Sequence, residues 1–172
     1  LYSSAASDVY KRQARGRALK ERALALAEQA GEPRRIAHCA RNLGHAFFGA
    51  KDYRIARGHY ERALAIFEQS GARTSADDMH MDLARVDRQE GNLETAERTL
   101  RALLPARRQL RGRVNLTNTL VELADVLLLR GNPDEALVLL GEASGYASQL
   151  GPGLKIHVLD TQVAAHEARG DA

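Results

Sequence analysis

Six histidines, one cysteine and a run of arginines are the residues of this 172-residue chain that could do chemistry. His38 and His45 stand seven apart, which places them on one face of a helix, and His80 lies one repeat further along. Three imidazoles could begin a metal centre. No carboxylate or thiolate at ligand spacing completes one, and Cys39, adjacent to His38, points elsewhere on the helix. No metal or cofactor is therefore expected, and Cys39 reads as a small buried packing residue. Arg98, Arg101, Arg107, Arg108, Arg111 and Arg113 form the densest basic run, with Glu94 and Glu97 nearby. Such a run could hold nucleic acid, but no aromatics alternate with it to stack bases and the net charge is only +3. It reads as a solvated outer face, and no nucleic-acid partner is expected. The chain has no phosphate-cradling glycine loop, no His-Glu-x-x-His and no serine set between glycines. Gly151 and Gly153 form a turn with no strand beside it. The expectation is a chain that is not an enzyme.

The elements that must position these residues are helical. The chain holds 29 Ala and 24 Leu, against 18 Val, Ile and Thr together, with 5% aromatic residues and no Trp. That composition suits helices and not sheets. No apolar stretch is long enough to cross a bilayer, so no membrane partner is expected. A single cysteine excludes an internal disulfide and predicts a reducing, cytoplasmic location.

Residues 1–13, LYSSAASDVYKRQ, lack the charged start and apolar run of a secretion signal. Asp8-Val9-Tyr10-Lys11-Arg12-Gln13 can be encoded by GAT-GTG-TAT-AAG-AGA-CAG, which resembles the transposase end sequence used in preparing sequencing libraries. This head is expected to be a non-native adaptor translation, and the remainder a fragment of a longer protein. Without Lys11, Arg12 and Asp8, the 25 basic and 22 acidic residues fall to 23 and 21.

The remainder repeats with a period of forty. Glu21-Arg22-Ala23-Leu24-Ala25 recurs as Glu61-Arg62-Ala63-Leu64-Ala65. The same step carries Leu43 to Leu83 to Leu123, Asp52 to Asn92 to Asn132, and Ala56 to Ala96 to Ala136. Each copy divides into two amphipathic stripes, Ile36, Ala40, Leu43 and Phe47 in one helix and Ala56, Tyr60, Ala63 and Phe67 in the next. Between them lie turns such as Glu90-Gly91-Asn92 and Arg130-Gly131-Asn132-Pro133. Glycine there suits the left-handed residue that ends a helix. Asn or Asp is expected to cap the next helix with its side-chain oxygen, and Pro133 suits the first helical position. Lys51 stands where glycine is expected, a strain of roughly 1 kcal/mol.

Leu43-Gly44-x-x-Phe47 followed by Asp52-Tyr53-x-x-Ala56-x-x-x-Tyr60-x-x-Ala63-Leu64 resembles the tetratricopeptide repeat. Small residues sit where paired helices touch and aromatics fill the gaps. Ala40 stands where Trp is common. The repeat is of the longer kind, similar to those in helical arms of large bacterial signalling ATPases and LuxR-type regulators, and in cargo and polarity adaptors. The resemblance implies an all-α fold, an α-α superhelix or solenoid of antiparallel helix pairs. The expected layout is a lone second helix at 14–30, repeats at 33–70, 73–110 and 113–149, and a partial repeat at 152–172. Uncovered helices at the two ends imply end-to-end self-association.

Two further expectations follow. Pro105 falls inside the helix that starts near Asn92, and a straight helix would bury Arg107 beside Ala96, Leu100 and Leu103. An unpaired buried Arg is costly, so a break near Leu104 is expected to turn Arg107 to solvent. In the resembled family the first helix of each repeat lines the concave groove where ligands lie. Carried over by position, that selects His38, Arg41, His45 and Phe48 in one copy. In the next it selects Asp78, Met81, Arg85, Arg88 and Gln89, and then Asn118, Val121, Asp125 and Leu128. The resemblance implies a protein or peptide partner, held by Arg and Asn on its polar groups and by Phe48 and Met81 on apolar anchors. The alternative is a passive or autoinhibitory arm that spaces attached domains.

Overall fold

The computed structural model describes residues 2–110, 112–146 and 150–170, with side chains from residue 14 on. Among them are eight helices and no strand: α1 (Tyr2–Gln29), α2 (Pro33–Gly49), α3 (Tyr53–Gln69), α4 (Arg73–Gln89), α5 (Leu93–Gln109), α6 (Arg113–Leu129), α7 (Pro133–Ser144) and α8 (Pro152–Arg169). The fold is all-α and built from antiparallel helix pairs. The pairs α2–α3 and α4–α5 span Pro33–Gln69 and Arg73–Gln109. Helix α7 stops at Ser144 instead of 149, because Gly141 and Gly145 weaken its last turn. Helix α1 begins at Tyr2, ahead of the expected 14. The reading of residues 1–13 as a non-native head concerns side chains outside the described residues.

The turns after α1, α2, α3, α4 and α6 are alike. Gly31, Gly71, Gly91 and Gly131 all have positive φ, and Lys51 joins them at φ 64°. Each closes the same double hydrogen bond. At the first inter-helix turn of the α2–α3 pair, Lys51 N–H donates to Phe48 O and Asp52 N–H donates to Phe47 O, both at 2.9 Å. This is the Schellman arrangement, which satisfies the last carbonyls of the helix. It also corrects the capping expectation. Asp52, Asn92 and Asn132 make no side-chain cap hydrogen bond. Their backbone is committed to closing the preceding helix, with ψ between 55° and 64° in place of an extended cap, so the side-chain oxygen is turned away. Pro133 does occupy the first turn of α7, as expected. Among the described residues, Lys51 alone pays the steric cost of the left-handed region without being glycine. Lys51→Gly is expected to raise stability by about 0.5–1 kcal/mol, roughly 1–4 °C in a thermal melt. An unchanged or lower melting temperature would refute the strain.

The chain divides into two compact units, Leu1–Val86 and Asp87–Ala172. In the first, Ala37 and Ala40 of α2 meet Ala56, Tyr60, Ala63 and Phe67 of α3, with Ala76, Met79 and Val86 of α4 in the same cluster. In the second, α6 is buried on nearly every side, through Leu116, Leu120, Leu123, Val126 and Leu127. It packs against α5, α7 and α8, which is why it lacks a polar face.

The break expected in α5 is absent, and Arg107 is not turned to solvent. The helix is continuous from Leu93 to Gln109 with Pro105 inside it. Arg107 is 2% exposed. Its Nη1 donates to the backbone carbonyl of Asn115 at 2.9 Å, and Thr119 Oγ1 donates to the same carbonyl. A buried guanidinium is tolerated because it is hydrogen-bonded. Pro105 itself is exposed, and α5 keeps its helical conformation for another turn beyond it. The neighbouring arginines face outward but carry internal partners. Arg101 bonds Glu97 and Glu135, Arg108 makes two bonds to Glu142, and Arg130 pairs with Glu97. Arg113 lies over the Tyr146 ring, 5.0 Å from its centroid. Arg111 lies outside the described residues. Arg101 and Arg108 thus form two rungs of ion pairs between α5 and α7.

Candidate partner-binding face

The first helix of each pair, α2, α4 and α6, carries the residues selected from the sequence. In the first unit they gather round a carboxylate that the sequence reading missed. Asp82 on α4 is 1% exposed. Arg41 Nε lies 3.1 Å from Asp82 Oδ2, and Arg41 Nη1 lies 3.6 Å from Asp78 Oδ2. His45 Nε2 is 3.6 Å and Arg85 Nη1 3.9 Å from the Asp82 carboxylate. The Arg85 guanidinium also sits over Phe48, 5.0 Å from its ring centroid, and Phe48 meets Tyr53 edge to face. Buried acid thus holds two arginines, while the arginines and Phe48 keep partial access to solvent.

Tyr60 joins this cluster from α3. Its ring lies against Gly44, where a β-carbon would come within 2.4 Å of Tyr60 Cε1. Its hydroxyl is 3.0 Å from His45 Nδ1. With Nε2 aimed at Asp82, Nδ1 is the acceptor and the tyrosine O–H donates. Burial pushes the Tyr60 phenol well above its ordinary range. Burial likewise raises Asp82, a shift opposed by the positive groups around it.

Burial lowers His45 below its ordinary 6.5, against the pull of Asp82 and with the help of Arg41, Arg85 and Lys20. The folded protein therefore favours neutral His45. That contribution to stability is complete above 6.5 and is lost as pH falls from 6.5 through the lower folded value. His59 is lowered by burial in the same way. Asp82 and Asp125, both raised by burial, act in the opposite sense further down, gaining stability as pH falls towards 3.8. Thermal melts are expected to drop as pH is lowered below 6.5, and His45→Gln is expected to make that drop shallower. An identical slope in both proteins would count against the assignment.

The second unit holds a similar cluster. Arg88 Nη2 is 3.1 Å from Glu122 Oε2 and 3.8 Å from Asp125 Oδ2. His157 and Thr161 of α8 approach Asp125 at 3.7 Å and 3.4 Å. The other selected residues are dispersed. His38 is exposed, edge to face with Phe67 at 5.2 Å, and Gln89 is exposed. Asn118 and Leu128 are half-buried. Met81 is 8% exposed and Val121 0%, so both pack into the interior, and Phe48 is the more accessible apolar anchor. Cys39 is half-buried. Among the described residues no three His, Cys, Asp or Glu side chains converge as a metal site would require.

Asp82, Glu122 and Thr161 hold one register position, 40 and then 39 residues apart, and each is buried. A polar residue kept at a buried position in successive copies was the signal that could have found them. A hydrophobic-stripe reading passes over it.

The match to known proteins now falls into place. The family model for the tetratricopeptide repeat matches residues 7–69 and 76–147, and the chain belongs to that family, a family of interaction scaffolds. Among curated proteins, none matches the chain. Among solved structures, BtubC (BKLC) from P. vanneervenii is 19% identical with a TM-score of 0.70, over 83% of this chain and 59% of that one. This chain therefore spans about three fifths of that protein's length. A kinesin light chain protein of nearly identical TPR-like repeats from Podosopora anserina is 18% identical with a TM-score of 0.70, over 98% and 86%. The apo form of RapI is 16% identical with a TM-score of 0.59, over 94% and 48%. At these identities the likeness is one of fold. No helix among the described residues is long and apolar enough to cross a membrane.

Proposed function

We propose that this chain is a non-catalytic interaction segment of a cytoplasmic regulatory protein. It binds a protein or peptide partner on the face formed by the first helices of its pairs. The observation that carries this reading is the cluster around Asp82. A buried carboxylate orients Arg41 and Arg85 while Phe48 lies beneath Arg85, giving polar and apolar contacts side by side on rigid helices. Ordering such groups in advance lowers the entropic cost of docking. Arginines oriented in this way suit carbonyl or carboxylate groups of an extended peptide. The helical arm of a signalling ATPase or LuxR-type regulator is the parent that the resemblance favours.

A second reading has its own support. Arg41 and Arg88 are engaged by carboxylates of neighbouring helices, which is what a rigid spacer or autoinhibitory arm would need. Partner capture by the wild-type chain and by Arg41→Ala/Arg85→Ala/Arg88→Ala separates the two. A loss of about tenfold or more is expected, roughly 1.4 kcal/mol. Phe48→Ala, which leaves the ion pairs intact, is expected to weaken capture as well. Undiminished capture by both variants would leave the spacer reading standing.

A further inference from the structure

Helix α8 exposes a large apolar stripe. Ile156, Leu159 and Val163 are 57%, 59% and 57% exposed. They lie three repeats, of 40, 40 and 39 residues, beyond Ala37, Ala40 and Gly44 of α2. In α2 those positions are buried, and Gly44 is the point where Tyr60 of α3 lies against the helix. The stripe on α8 is therefore the face that the second helix of a pair covers.

Helix α1 presents the complementary half. Gly16, Lys20 and Ala23 stand one repeat before Ala56, Tyr60 and Ala63, the residues of α3 that cover α2. Where α3 sets Tyr60 against Gly44, α1 sets Gly16 and Ala23, with the half-buried Lys20 between them, against the large groups of α8. A cavity of about 470 Å³ lies between this part of α1 and the end of α2, with Gly16, Arg17 and Lys20 on one side and His45, Ala46 and Gly49 on the other. Leu19 and Leu26 of α1 are 61% and 56% exposed. Charge agrees with shape. The 34-residue step that pairs Arg101 with Glu135 and Arg108 with Glu142 sets Arg17 of a second copy opposite Glu142. A carboxylate holding two arginines has a precedent in Glu97, which pairs with Arg101 of its own helix and with Arg130.

From this register we infer that α8 of one molecule docks on α1 of a second copy, rebuilding a helix pair across the junction and continuing the α7–α8 and α1–α2 packing on either side. The contact is heterologous, joining two different faces, so it propagates head to tail instead of closing a symmetric dimer. Its area is small. Five side chains little more than half exposed, counted over both partners, withdraw roughly 400–500 Å² from water, against about 1,600 Å² in total for a standard interface, so association is weak and concentration-dependent.

Sedimentation velocity of the full 172-residue chain tests this. Its weight-average mass is expected to climb from 18.9 kDa towards several multiples as concentration rises from about 10 to about 500 μM, the range in which so small a contact operates. Val163→Glu and Ala23→Glu, both at exposed positions, are each expected to remain monomeric with an unchanged circular-dichroism melt. Mixed in equal amounts they retain one intact junction and are expected to form a two-chain species and nothing larger. Ile156→Lys repeats the α8 arm should Val163→Glu melt early. A wild-type chain that is monomeric throughout overturns the inference. So does an Ala23→Glu variant that still dimerises, because a symmetric α8–α8 contact would then be at work.

Discussion

Gly44→Leu is expected to lower the melting temperature by roughly 6–12 °C, a loss of about 3 kcal/mol or more. The residue is buried, and the space a side chain would need is occupied. A β-carbon alone would stand 2.4 and 2.6 Å from Tyr60 Cε1 and Cδ1. The ring has no easy retreat, because it is 1% exposed and its hydroxyl is engaged by His45. Ala56→Leu, at a fully buried position of the same pair, is expected to cost about 1–3 kcal/mol. A Tyr60→Ala background should absorb much of the Gly44→Ala penalty, since the obstructing ring is gone, and thermal melts of the four-member cycle give the coupling directly. Wild-type melting in Gly44→Leu would mean that the helices do not meet in this register.

Arg107→Ala is expected to cost about 2–4 kcal/mol in urea denaturation. The change removes a donor to the Asn115 carbonyl and leaves a void where a long, buried side chain had been. Arg107→Met, which keeps length and apolar stem without a charge to desolvate, is expected within about 1 kcal/mol of wild type. If alanine and methionine were equally costly, hydrogen bonding would outweigh packing at this site. If neither were costly, the side chain would have another way out to water.

These two residues mark the border of what could be read from the sequence. Gly44 was legible because small residues at helix contacts repeat every forty positions, and the same periodicity placed the helix ends and the strained turn at Lys51. Arg107 was legible in its angular position but not in its outcome. The helix does run straight and does bury it, as the 3.6-residue geometry requires. What the sequence does not display is the Asn115 carbonyl eight residues away, which satisfies the guanidinium. The same limit hid Asp82. Its ion pair with Arg41 spans 41 residues, and no local pattern announces it. The capping asparagines failed for a related reason. Residue type favours a side-chain cap, but Asn92 N–H is already spent on Asp87 O, and one backbone cannot serve both geometries. Of the thirteen residues selected for the partner-binding face, those near Asp82 and Asp125 come together because successive helices carry complementary charge. Met81 and Val121 went into the interior because a family position says which side of a helix faces the groove, not how deeply a given side chain sinks.

The packed helix pairs have a kinetic consequence. Those that make the most extensive contacts are neighbours in the chain, with α6 and α8 just one element further apart. Nothing in such an arrangement waits for a distant segment to arrive. Each hairpin of about forty residues can close as soon as it leaves the ribosome, with little loop entropy to overcome, so folding is expected to be fast and to proceed from the amino terminus during synthesis.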